Sequence, residues 1–262
     1  MVILKVIDPL LSEISRTIRR VFDDYNYIEV FPPIINSGKL NGLKLLYNNN
    51  IYTVDPDITM RLLDMNKKYF INNPRIYYIS GSVDEYLNET LKAGLELINS
   101  DEFSSNIEII KTAMKALEEL SVSDYNIDIS LSYLYKKYIK NKKYSKIMEY
   151  IKKMDYNGIE KMDIDNKNEI INLMNTRTDK SNIEFLDKIV KTINDNRINI
   201  DFGTVRYFNY YDGLIFEIYN SNGFIAGGGN YKIKNMNACG FSFNVNNIYN
   251  TVKGNLTEGV KK

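Results

Sequence analysis

Between Gly213 and Gly229 the chain reads GLIFEIY, then Asn-Ser-Asn-Gly, then FIAGGG. The first run alternates with the period of two that a strand requires, Ser-Asn-Gly supplies a turn, and a second strand follows. Strands joined by so short a turn pair antiparallel. The fold is therefore built around an antiparallel sheet. The flanks RYFNYY and NYK set Arg206, Tyr210, Tyr211 and Tyr231 at the mouth of this hairpin. Such a mouth is either a ligand pocket or a tyrosine-rich sheet with a loose glycine turn.

The rest of the chain surrounds the hairpin with helices. In DPLLSEISRTIRRVFDDY (8–25), Asp8 is a candidate N-cap and Pro9 takes the first helical position. Leu11, Ile14, Ile18, Val21 and Phe22 fall on one face. Strands are expected at 27–35, ended by two prolines, and at 51–55, 75–83, 91–99 and 126–132. Helices are expected at 58–70 and 105–120, and residues 133–197 read as all helix. Strands return over 198–245. This order implies an α+β fold, a core domain over residues 1–250 with a helical insertion at 133–197. The polar end, 251–262, is expected to be a disordered tail.

Histidine is absent from all 262 residues, which removes Ser–His and Cys–His nucleophilic chemistry and the usual zinc ligand sets. Cys239 is the one cysteine, so an internal disulfide framework is excluded and a reducing compartment is expected. A net charge of +1 gives no global field to attract nucleic acid or anionic lipid. No apolar run approaches the roughly 20 residues that span a membrane, and the start lacks a signal-peptide pattern. A cytoplasmic protein is expected. Asp-Pro-Asp and Asp-Ile-Asp lack the glycine and terminal glutamate of a calcium loop, and neither metal nor cofactor is expected.

Six local patterns, in order over residues 27–248, resemble class II histidyl-tRNA synthetases. YNYIEVFPPII resembles the first motif, with Glu29 and Pro33, which in that family builds the dimer interface. VDPDIT (54–59) resembles the loop reading Arg-Pro-Glu-Gly-Thr. RIYYISGSVDE (75–85) and KAGLELI (92–98) resemble the two strands of the second motif. DFGTVRYFNYYDGLIFEIY resembles the histidine-specific stretch Val-Arg-Gly-Leu-Asp-Tyr-Tyr, and AGGGNYK the second such motif, Gly-Gly-Arg-Tyr-Asp. GFSFNVNNI (240–248) resembles the third motif. The resemblance implies a class II synthetase-like antiparallel sheet flanked by helices. It also implies a histidine-like pocket from Asp57, Thr59, Glu96, Arg206, Tyr210, Tyr211, Gly228, Gly229 and Tyr231.

The departures are as informative as the matches. The resemblance aligns Asp84 with the second-motif arginine, Asp55 with the arginine of the Arg-Pro loop, and Asn247 with the third-motif arginine. Adenylation needs cations around the ATP phosphates. At about 4 Å and an effective dielectric near 20 each such contact is worth roughly 4 kcal/mol, and an aspartate reverses its sign. Asn209 and Asn230 stand for an aspartate and an arginine of the histidine-specific motifs, and Lys92 for a glutamine. The stretch after the third motif is also too short for the anticodon-binding domain. This profile resembles the ATP phosphoribosyltransferase regulatory subunits, synthetase paralogues of histidine biosynthesis. That resemblance implies a non-catalytic chain that activates the short catalytic subunit and mediates histidine feedback. The implied assembly is a hetero-octamer containing dimers of this chain.

Other readings stand beside these. Tyrosines 210, 211 and 231 also suit a sheet, and the glycine run also suits a bulge. Asp57 also suits the N-cap of the following helix. Glu96, an acid in an apolar strand, demands a partner. Lys92 on the same face offers an ion pair as the rival to an imidazole. KKYIKNKKYSK (136–146) suits either a solvated helical face or RNA contact, the latter favouring a free-standing amino-acid or tRNA sensor. Cys239 reads as a small core residue.

Overall fold

A computed structural model describes residues 8–37, 42–55, 57–64, 74–83, 88–135, 144–206, 210–233 and 236–259. Pro56, Asp84, Glu85, Asn209 and residues 136–143 of the lysine–tyrosine run lie outside the described residues.

Helix α1 (Pro9–Asp24) begins as its sequence requires, with the Asp8 carboxylate accepting from the Leu11 N–H at 3.0 Å. Its apolar stripe buries Ile14, Ile18, Val21 and Phe22. Strand β1 is only Ile28–Glu29, shorter than expected because Pro32 and Pro33 cannot donate to a ladder. There follow β2 (Ile35–Ser37), β3 (Leu43–Tyr47), β4 (Asn50–Val54), α2 (Ile58–Asp64), β5 (Arg75–Val83) and β6 (Glu89–Ile98). Helix α3 (Glu102–Glu119) is capped by Asp101, which accepts from the Ser104 N–H at 2.9 Å. Strand β7 (Asn126–Leu131) precedes the insertion.

Within the insertion lie α4 (Tyr144–Lys152), α5 (Tyr156–Glu160), α6 (Lys167–Met174), the short strand β8 (Arg177–Thr178) and α7 (Glu184–Ile193). One correction applies to the all-helix expectation. β8 pairs with β9 (Ile198–Asp201) at the sheet edge, where Arg177 bridges Asp128 and Asp201 at 2.8 and 3.1 Å. Strands β10 (Tyr211–Asn220), β11 (Gly223–Ile233) and β12 (Met236–Asn244) complete the sheet. Helix α8 (Val245–Gly259) then overturns the expected disordered tail over 251–259.

The nine-stranded sheet has the order β1-β5-β6-β12-β11-β10-β7-β9-β8. Its centre, β5 to β7, is antiparallel, while β1–β5 and β7–β9 are parallel. The second sheet has the order β2-β4-β3. Alternation along the central strands assigns two faces. Tyr77, Leu95, Cys239, Phe241 and Phe243 join the large core with α1 and α3. Ile76, Tyr78, Tyr231 and Ala238 form a smaller cluster with Ile58 and Leu62 of α2 on the other face. Cys239 is fully buried, and burial pushes its thiol up to about 12, so it is an unreactive core residue.

Candidate functional site

The smaller face carries a small cavity, open to solvent at its mouth. Asp57, Thr59, Glu96, Arg206, Tyr210, Tyr211 and Tyr231 line it, seven of the nine residues expected from the sequence. Gly228 and Gly229 do not line it. A side chain at 228 would strike the Gly240 carbonyl oxygen at 2.1 Å, and one at 229 the Leu214 carbonyl oxygen at 2.3 Å, so both serve close strand packing. Gly227 faces the cavity in their place.

Each side chain reaches the cavity through its element. Asp57 precedes α2 and acts as both cap and wall: one carboxylate oxygen accepts from the Met60 N–H at 3.3 Å, the other from the Tyr210 hydroxyl at 2.7 Å. Thr59, in the first turn, donates to Glu96 Oε1 at 2.6 Å. Tyr231, on β11, donates to Glu96 Oε2 at 2.7 Å. The partner that a buried acid demands is thus a pair of hydroxyls. Burial raises the Glu96 carboxyl to about 7, against the opposing pull of Thr59 and Tyr231. The Tyr210 ring lies tilted at 37° against Tyr211 and edge-to-face at 74° against Tyr231, with ring centroids 4.8 and 5.8 Å away.

Arg206 follows β9 and donates from Nη1 to Glu217 Oε1 at 2.9 Å. Its guanidinium lies over the rings of Tyr211 and Phe224, 5.7 and 5.6 Å from their centroids. Burial alone would lower its pKa, but Tyr211 and Glu217 outweigh burial and the net shift is upward, so Arg206 stays a cation. Lys92 also lines the wall; burial lowers its pKa, and Asp57 opposes that shift.

Sequence reasoning missed Ile58, Tyr78, Gly227, Gly240, Phe241 and Ser242 as wall residues. Parity in RIYYIS and GFSF carried the signal for Tyr78, Gly240 and Ser242, since each shares a strand face with an identified wall position across the ladder. Gly240 is required by close approach, because a Cβ there would lie 1.9 Å from Glu96 Oε2.

The substituted positions have found other work. Asp55 is 4% exposed and accepts from the Asp57 N–H at 2.8 Å, with burial raising its pKa. Asn230 lies on the opposite face, where its Oδ1 accepts from Asn106 of α3 at 2.8 Å and from the Leu214 N–H at 3.0 Å. Asn247 donates to the Phe224 carbonyl at 2.7 Å. Two acids and two cations on one wall suit a zwitterion better than a polyanion. Among the described residues no group of His, Cys, Asp and Glu is placed to hold a metal, and no helix is long and apolar enough to cross a membrane.

Known proteins resemble this chain in sequence and fold. An ATP phosphoribosyltransferase regulatory subunit of Bacillus cereus is 24% identical over 85% of this chain and 66% of its own length. The chain therefore spans just under two thirds of that relative. A Bacillus halodurans structure described as an ATP phosphoribosyltransferase regulatory subunit/histidyl-tRNA synthetase superposes with a TM-score of 0.79. It is 17% identical, over 93% of this chain and 79% of that one. A chain of the ATP phosphoribosyl transferase HisG:HisZ complex of Thermotoga maritima gives 0.74 at 18% identity, over 91% and 98%. These likenesses carry the class II synthetase-like fold. The family model described as histidyl-tRNA synthetase matches residues 57–169 and 148–248, a range containing every wall residue of the cavity, and the chain belongs to that family.

Proposed function

We propose that this chain is the regulatory subunit of an ATP phosphoribosyltransferase, the enzyme of the first step of histidine biosynthesis, and performs no aminoacylation itself. One observation carries the reading: the two halves of a synthetase-like site have diverged. The amino-acid half is assembled, with Asp57, Thr59, Glu96, Arg206 and three tyrosines around one cavity. In the nucleotide half, buried Asp55 stands where the resemblance puts an arginine, and Asn247 is committed to a backbone carbonyl. A polyphosphate meets an acid where the chemistry needs a cation. The names of the curated relatives support the same reading.

The partner in this reading is the short-form catalytic subunit, as the Thermotoga complex supports. Regulation is linkage: histidine in the cavity biases the quaternary state and with it phosphoribosyl transfer. Mixing purified chain with a short-form catalytic subunit is expected to raise phosphoribosyl transfer severalfold and make it sensitive to histidine. Amino-acid-dependent pyrophosphate exchange by the chain alone is expected to be absent. Failure to associate, or exchange with any amino acid, overturns the proposal.

A further inference from the structure

The run Gly227-Gly228-Gly229 contains two kinds of glycine. At 228 and 229 an added Cβ would strike backbone carbonyls, and Gly229 has φ +152°, so the sheet itself demands glycine there. At Gly227 the three nearest atoms are all on side chains: Arg206 Nη1 at 2.4 Å, Arg206 Cζ at 2.9 Å and Phe224 Cζ at 3.0 Å. Its backbone makes no such demand.

Glu217 stands opposite Gly227 in the β10–β11 register. The nitrogen that a side chain at 227 would hit, Nη1, is the one that donates to Glu217. The guanidinium therefore occupies the space of the missing side chain and reaches the acid on the neighbouring strand. The Nε of Arg206 is buried and has no hydrogen-bond partner among the described residues, a donor left for an acceptor that enters the site.

We infer that Gly227 is a positioning residue that determines specificity: by yielding its side-chain volume to Arg206, it holds that cation against Glu217 at the cavity wall and restricts the site to ligands bearing a carboxylate. The inference rests on the amino-acid reading of the cavity. It makes the first glycine of the run a functional requirement and the other two structural ones.

Two measurements test it, and the first needs no ligand. Thermal midpoints are compared for wild type, Gly227→Ala, Arg206→Ala and the double variant. Gly227→Ala is expected to lower the midpoint in the wild-type background and to lower it less in the Arg206→Ala background, where only the Phe224 Cζ contact at 3.0 Å remains. Equal loss in both backgrounds would mean that Arg206 is not what demands this glycine, and the inference falls. The second is calorimetric titration with L-histidine and with L-histidinol, which lacks the carboxylate. Wild type is expected to prefer histidine by roughly tenfold or more, the scale of one charge-assisted contact. Gly227→Ala is expected to bring that preference below about threefold. A preference unchanged in the variant overturns the specificity role. If wild type binds neither compound, the amino-acid reading fails together with the specificity it carries. The thermal cycle then still decides whether Gly227 positions Arg206.

Discussion

Glu96 is 3% exposed and its two oxygens accept from Thr59 and Tyr231. Burial lifts its carboxyl from 4.5 to about 7, so the folded protein keeps a proton that the unfolded chain gives up over that interval. The stability from this raised value is complete below pH 4.5 and is lost as pH rises through 7. At 1.36 kcal/mol per unit the loss is roughly 3 kcal/mol. Glu96→Gln keeps the volume and does not titrate. Urea denaturation of both proteins from pH 4.5 to 8 should show wild type losing about 3 kcal/mol relative to the variant. A constant difference would mean that Glu96 is ionised throughout. The importance of this residue was legible, because an acid in an apolar strand needs a partner. Its partners were not, since Thr59 and Tyr231 lie 37 and 135 residues away in sequence and no spacing rule links them. Lys92, four residues away, was the visible candidate.

Elements with one buried face were easiest to read. The stripe on α1 survives into the structure because burial on one side imposes a period, whereas β5, β6 and β10 are buried on both faces over much of their length, and their signal was an apolar run between turns. Besides β8, strand β3 and helix α8 escaped, for opposite reasons. Strand β3 is exposed along its whole length, so LKLLY shows no alternation. The turn after it carried the signal: Asn48 and Asn49 adopt positive φ, 47° and 60°, as a two-residue hairpin turn needs. Helix α8 was hidden because β12 runs into it without an intervening turn residue. Its sequence, VNNIYNTVKGNLTEG, is polar overall, yet Val245, Ile248 and Thr251 are buried at helical spacing. Tyr249 also donates to the Asp8 carboxylate at 3.0 Å, tying α8 to the start of α1. Ile248→Ala should cost about 3 kcal/mol in urea denaturation. Leu256→Ala, at a site 58% exposed, should stay within about 0.5 kcal/mol. Equal, negligible effects would return this segment to the tail that composition alone suggests.

At the scale of the whole molecule, the order of the six motifs specified the fold better than any one of them, because each fixes a strand relative to the last. The order says nothing of what covers the surface. Thirteen large hydrophobics are exposed among the described residues, and nine of them lie between Ile28 and Ile51. That clustering singles out β1 and the small sheet β2-β4-β3. Phe31, Leu46 and Tyr47 are 77%, 76% and 67% exposed, and both faces of β3 meet solvent. A three-stranded sheet with so little of its own core is poorly stable alone, and an apolar patch this concentrated marks an interface. The first-motif resemblance names a second copy of the chain as the occupant. Leu46 and Ile51 are register partners in the β3–β4 ladder, so they sit side by side on one face. Losing two such side chains from an interface costs roughly 3–6 kcal/mol, a weakening of at least about a hundredfold. The double variant Leu46→Lys, Ile51→Lys is expected to run as a monomer by light scattering at concentrations where wild type is a dimer. Its far-UV circular dichroism should be unchanged, because neither side chain contributes to either buried cluster. A monomeric wild type, or a variant that stays dimeric, would assign this patch to the catalytic subunit instead, and the mixing experiment with the same variant would then show lost activation.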